Sequence, residues 1–125
     1  MTPESLRDLV VEALDDVKGQ EILALDVSGA SSVTDWMVIA SGTSNRHVRS
    51  LVENVTREAR QAGAVPIGVE GTDGNEWVLV DLGDVVVHVM QREARGFYDL
   101  ERLWKLPVPA PAAQTTTGGT GATLR

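Results

Sequence analysis

The chain has 125 residues, enough for one domain with an ordinary hydrophobic core. It has no cysteine, which excludes a disulfide framework, a thiol nucleophile and thiolate metal sites. Its formal charge is -7; Arg125 carries the only charge beyond Leu106, so residues 1–106 carry -8, a balance that repels phosphate backbones and excludes a broad basic footprint for nucleic acid.

The first element is a helix. Leu6, Leu9, Val10, Ala13, Leu14 and Val17 recur at helical spacing and share one face. Thr2 suits the N-cap, Pro3 the first helical position, and Gly19 the end. Asp8, Glu12, Asp15 and Asp16 lie mostly off the apolar stripe. The N-terminus has no basic region leading into an apolar run, so no secretory signal is expected. No segment approaches the roughly 18 consecutive apolar residues of a membrane span. A cytoplasmic location is the expectation.

Glu21 to Val27 reads as a strand, Ser28 to Ser32 as a turn, and Trp36 to Ala40 as a second strand. The second is nearly all apolar and so belongs inside a sheet. Ser41-Gly42-Thr43-Ser44-Asn45 is a strand-to-helix turn. The helix it opens runs from about Asn45 to Ala62, with Val48, Leu51, Val52, Val55, Ala59 and Ala62 on one stripe. Gly63 caps it, Val65 to Val69 reads as a third strand, and Gly71 to Asn75 as a loop.

Trp77 to Gln91 is the most informative stretch. Two β-rich runs flank Gly83-Asp84, a two-residue hairpin signal. That turn sets Leu82 against Val85, Val80 against Val87 and Val78 against Val89. It sets Asp81 against Val86, Leu79 against His88 and Trp77 against Met90. Side chains alternate between the faces of a strand. One face is therefore wholly aliphatic and must meet a core. The other mixes Trp77, Leu79, Asp81, His88 and Met90, and is either a covered second layer or a surface that meets a partner.

A last helix is expected from about Ala94 to Lys105, with Phe97, Tyr98, Leu100, Leu103 and Trp104. From Pro107 the composition turns to Pro, Ala, Thr and Gly, which cannot bury enough apolar surface to offset its ordering entropy. The expected organisation is one α/β domain over residues 1–106 and a disordered tail over 107–125. The element order is αββαβββα, and a single mixed sheet of about five strands with helices packed on it is the economical arrangement.

Chemistry-bearing groups are sparse. The Gly42-Thr43-Ser44 turn could cradle an anion at the helix dipole, with Arg46, His47 and Arg49 nearby, or could be a plain N-cap. It lacks a Walker ending and a Gly-x-Gly-x-x-Gly fingerprint. A strand, a Gly-Ser-like turn and a helix also open nucleotidyltransferase sites, but these need paired carboxylates on the next strand for divalent metal. Here that strand ends in a single acid, Glu70. His47 and His88 have no metal-ligand spacing between them. Arg46, Arg49, Arg57 and Arg60, interleaved with Glu53 and Glu58, read as a solvated helix face. No enzyme activity, metal or cofactor is expected.

A set of linked motifs carries a family resemblance. These are Asp35-Trp36-Met37-Val38-Ile39, Ser41-Gly42-Thr43-Ser44-Asn45-Arg46-His47-Val48, Gly68-Val69-Glu70-Gly71 and Trp77. Asp81-x-Gly83-Asp84-x-Val86-Val87-His88-Val89 and Phe97-Tyr98-x-Leu100-Glu101-x-Leu103-Trp104 complete it. Over about residues 3 to 105 the chain resembles the ribosomal silencing factor family, RsfS or Iojap-like. The resemblance implies an α/β fold related to nucleotidyltransferases without their catalytic acids. It also implies a translation repressor that binds large-subunit ribosomal protein fourteen at the intersubunit face and blocks subunit joining under nutrient limitation. Two alternatives stand beside it: a degenerate nucleotidyltransferase-like nucleotide-binding protein, and a ribosome-assembly factor acting at the same site. On the first reading Trp77, Leu79, Asp81, Asp84, His88 and Met90 are the candidate partner-binding residues, with Tyr98 and Trp104 as a secondary set. Neither independent nucleic-acid binding nor membrane association is expected, and a homodimer of the free protein is compatible with this reading.

Overall fold

A computed structural model describes residues 1–94. The elements are α1 (Pro3–Asp16), β1 (Gln20–Asp26), β2 (Trp36–Gly42), α2 (Asn45–Gln61), β3 (Gly68–Glu70), β4 (Trp77–Asp81) and β5 (Val85–Gln91). The five strands form one sheet in the order β1-β2-β5-β4-β3. The central pair β2 and β5 is parallel, and every other neighbouring pair is antiparallel. The expected mixed five-stranded α/β sheet is therefore the fold.

Local chemistry starts each helix as the sequence implies. Thr2 caps α1 in a reciprocal box: Ser5 N–H donates to Thr2 Oγ1 at 3.0 Å, and Thr2 N–H donates to Ser5 Oγ at 3.0 Å. The end of α1 differs from expectation. The left-handed residue is Lys18, at φ 62°, rather than Gly19. Gly19 serves a steric purpose, since a Cβ there would lie 2.9 Å from the Leu14 carbonyl oxygen. Ser44 caps α2, accepting from His47 N–H at 3.1 Å. Between the helices, buried Asn54 donates through Nδ2 to the Ala13 carbonyl at 2.7 Å and accepts from Arg57.

Both helices pack on one face of the sheet. Leu6, Val10 and Leu14 of α1 and Val48, Leu51 and Val55 of α2 meet Val38, Ala40, Val78, Val80, Val87 and Val89. These strand residues have no exposed surface, so the aliphatic side of the hairpin is core. The hairpin register is the expected one, with Trp77 opposite Met90, Val78 opposite Val89, Leu79 opposite His88, Val80 opposite Val87 and Asp81 opposite Val86. Gly83 takes φ 88° in the turn, and Leu82 N–H donates to the Val85 carbonyl at 2.9 Å.

The third strand is shorter than its apolar run suggests and begins at Gly68 instead of Val65. Pro66 has no N–H for a ladder bond. Val65 and Ile67 stay 62% and 73% exposed, so their alternation does not report a core. Ala62, grouped with the α2 stripe, is also exposed, one residue past the end of the helix.

The opposite face carries a smaller cluster. Val27, Met37, Ile39 and Met90 are buried there with Ala94, and Leu25 and Trp77 pack against them. Residues 92–94 are helical where the described chain ends. The expected last helix, with Phe97, Tyr98, Leu100, Leu103 and Trp104, and the tail from Pro107 lie outside the described residues.

Candidate partner-binding face

Strand alternation and register bring Trp77, Leu79 and Asp81 of β4 beside Val86, His88 and Met90 of β5, on the side away from α1 and α2. Their exposure divides them. Trp77, Leu79 and Asp81 keep part of their surface in solvent, while Met90 has none and His88 is 8% exposed. Met90, grouped with the docking candidates on sequence alone, thus lies beneath the face rather than on it. Its period-2 position put it on the correct side, but Met37, Ile39, Val27 and Ala94 enclose it. Tyr98 and Trp104 lie outside the described residues.

The polar groups of this face are mutually held. Trp77 Nε1–H donates to His88 Nδ1 at 2.9 Å, with ring centroids 5.8 Å apart and planes tilted by 47°. This is a diagonal contact between neighbouring strands, since Trp77 stands opposite Met90 and His88 opposite Leu79. An accepting Nδ1 places the proton of the neutral ring on Nε2. Burial pushes the His88 pKa down to about 4, because a charged imidazolium would lose its hydration there. Asp81 Oδ1 accepts from Gly83 N–H at 2.9 Å and so braces the turn. Asp84 is exposed, and its carbonyl accepts from Asp35 and Trp36 N–H at 3.0 Å each, tying the turn to the start of β2.

The Gly42 turn is built differently from an anion cradle. Thr43 N–H donates to His47 Nδ1 at 2.9 Å, His47 N–H to Ser44 Oγ, and Val48 N–H to the Ser44 carbonyl. Three donors near the helix start are thus engaged within the chain. His47 Nε2 donates to the Val17 carbonyl at 2.8 Å, so this histidine joins the start of α2 to the end of α1. A Cβ on Gly42 would approach Val48 Cγ2 to 2.9 Å, which explains the glycine sterically. The second histidine, the N-cap and the glycine all have structural work at this turn. Among the described residues, no three His, Cys, Asp or Glu side chains are grouped to hold a metal ion.

Asp8, Glu12, Asp15, Asp16 and Glu58 line an open groove of about 690 Å³. Two features of the site side were missed on sequence: the Trp77–His88 bond and the enclosure of Met90. The first was within reach, because a two-residue diagonal on one face lets an aromatic side chain span neighbouring strands.

The geometry defines a class: a small mixed-sheet α/β domain, one face sealed by two helices and the other presenting an aromatic, an aliphatic and a carboxylate side chain. A family model described as ribosomal silencing factor during starvation matches residues 1–120. A ribosomal silencing factor from Haemophilus influenzae is 45% identical over 100 residues, spanning 80% of this chain and 98% of that one. A second, from Chromobacterium violaceum, is 45% identical over 104 residues, spanning 83% of this chain and 85% of that one. A crystal structure of a Chromobacterium violaceum protein matches with a TM-score of 0.83 at 43% identity, covering 91% of this chain and 95% of that one. The chain belongs to the ribosomal silencing factor family, as its linked motifs imply.

Proposed function

We propose that this protein binds the large ribosomal subunit through ribosomal protein fourteen at the intersubunit face, and that it blocks small-subunit joining by occupying that space. Translation is thereby damped when nutrients are short. The observation that supports this reading is the sheet face where Trp77, Leu79 and Asp81 remain partly exposed on the side away from both helices, in a chain of this family. Tryptophan is among the residues that dominate interface energy, and it offers a large area with only two side-chain torsions to fix. Asp81 and the exposed Asp84 rim that face, and the overall charge of -7 speeds encounter with a basic partner.

The mechanism is steric. No bond is made or broken and no cofactor takes part, so potency follows affinity and abundance. The active unit is residues 1–106, acting in the cytoplasm, and residues 107–125 contribute nothing to binding. The test is sucrose-gradient sedimentation of the protein with separated ribosomal subunits. The protein is expected to travel with large subunits and to lower the yield of joined ribosomes as it is titrated in. Travel with small subunits alone, or unaltered joining at saturation, refutes the reading.

A further inference from the structure

An exposed tryptophan is a good anchor only if its ring already stands as the partner requires. Otherwise binding must order it, at an entropic cost that weakens affinity. Trp77 is half-buried at the end of β4 and directs Nε1–H onto His88 Nδ1 at 2.9 Å. His88 is itself immobilised in the middle of β5, between β2 and β4, opposite Ile39 on one side and Leu79 on the other. At 8% exposure it has little surface to offer any partner. Its acceptor nitrogen is nonetheless aimed at the Trp77 ring, the one large aromatic ring on that face among the described residues.

We propose that His88 is a positioning residue of the docking face: its Nδ1 holds the Trp77 indole in the orientation that meets the ribosomal partner, and His88 itself contributes no contact area. This inference rests on the docking role proposed above for Trp77. The bond needs a neutral ring, because protonation at Nδ1 would turn the acceptor into a donor facing another donor. Burial keeps the ring neutral at ordinary pH. The neighbouring strands add no cation on that face: β2 places Met37, Ile39 and Ser41 there, β4 places Trp77, Leu79 and Asp81, and β3 places Glu70 opposite Leu79. The carboxylate of Asp81 is engaged by Gly83 N–H.

The test is a double-mutant cycle in the full-length protein, read as affinity for purified large subunits and as the Trp77 indole signal in a ¹⁵N-resolved spectrum. His88→Phe keeps a planar ring but removes the acceptor, and it should weaken binding by about tenfold, the scale of ordering one such side chain. The indole N–H signal should move and exchange faster with solvent. His88→Asn places a carbonyl oxygen near the Nδ1 position, and should restore both the signal and an affinity within about threefold of the parent. In a Trp77→Phe background, which has no indole donor, His88→Phe should change affinity by less than about twofold, because coupled residues are non-additive. Melting curves identify variants that fail to fold, and His88→Leu replaces His88→Phe if the latter does.

Unchanged binding by His88→Phe overturns the proposal, as does an equal loss in the Trp77→Phe background or an unmoved indole signal. Unchanged binding by Trp77→Ala has a different meaning: the docking reading fails, and the positioning role fails with it.

Discussion

The buried, neutral His88 makes the stability of this domain depend on acidity in a way that one substitution removes. In the unfolded chain the imidazole takes up a proton as pH falls below its ordinary 6.5, whereas in the fold it stays neutral down to about 4. Between those values the unfolded state binds more protons than the folded one, so stability falls as pH falls. The contribution is fully present above pH 6.5 and is lost on the way to about 4. At 1.36 kcal/mol per pKa unit, that interval corresponds to roughly 3 kcal/mol, a large part of the marginal stability of a small domain. The assay is urea denaturation of the parent and of His88→Phe at a series of pH values from neutral to about 4. The difference between the two proteins isolates His88, since the carboxylates are common to both. These include Asp26, whose pKa is held low by hydrogen bonds from the Ser28 hydroxyl and N–H. The parent should lose about 3 kcal/mol relative to the variant across that range, most steeply between pH 6 and 4.5. A difference that stays flat, or that moves in the parent's favour on acidification, refutes a buried neutral histidine. A proton-NMR titration of the His88 ring checks the same claim directly.

The remaining predictions separate the two faces of the hairpin and the tail. Trp77→Ala should weaken large-subunit binding by ~2 kcal/mol or more while leaving a cooperative melting transition; a collapsed transition would make Trp77 a core residue. Val80→Ala or Val87→Ala should cost on the order of 1–3 kcal/mol in denaturant titrations, since both side chains are fully enclosed beneath α1 and α2. Truncation after Leu106 should leave ribosome affinity within about threefold, or ~0.65 kcal/mol; a tenfold loss would place the tail in the interface.

Much of the fold was legible from local pattern. Helical spacing located α1 and α2, the Gly83-Asp84 turn fixed the hairpin register to the residue, and the apolar run of β2 announced a strand paired on both edges. These features are governed by interactions a few residues apart, which sequence order displays directly. The same logic failed where alternation had no core behind it. Val65 and Ile67 carry β-branched side chains yet remain exposed, because they run along the outer edge of the sheet ahead of β3, with no layer packed over them.

The candidate site was legible only in part. Strand parity alone put Trp77, Leu79, Asp81, His88 and Met90 on one face, and the linked motifs alone identified the family. Which of those residues a partner can touch depended on what lies against them, and that is set by residues far away in sequence. Met90 is enclosed by Met37 and Ile39 of β2 and by Val27, the residue just after β1, roughly fifty to sixty positions earlier. Periodicity assigns a side chain to a face; only packing between distant segments decides whether that face is open. The pairing of β2 with β5, the burial that keeps His88 neutral and the resulting hold on Trp77 are tertiary facts of this second kind.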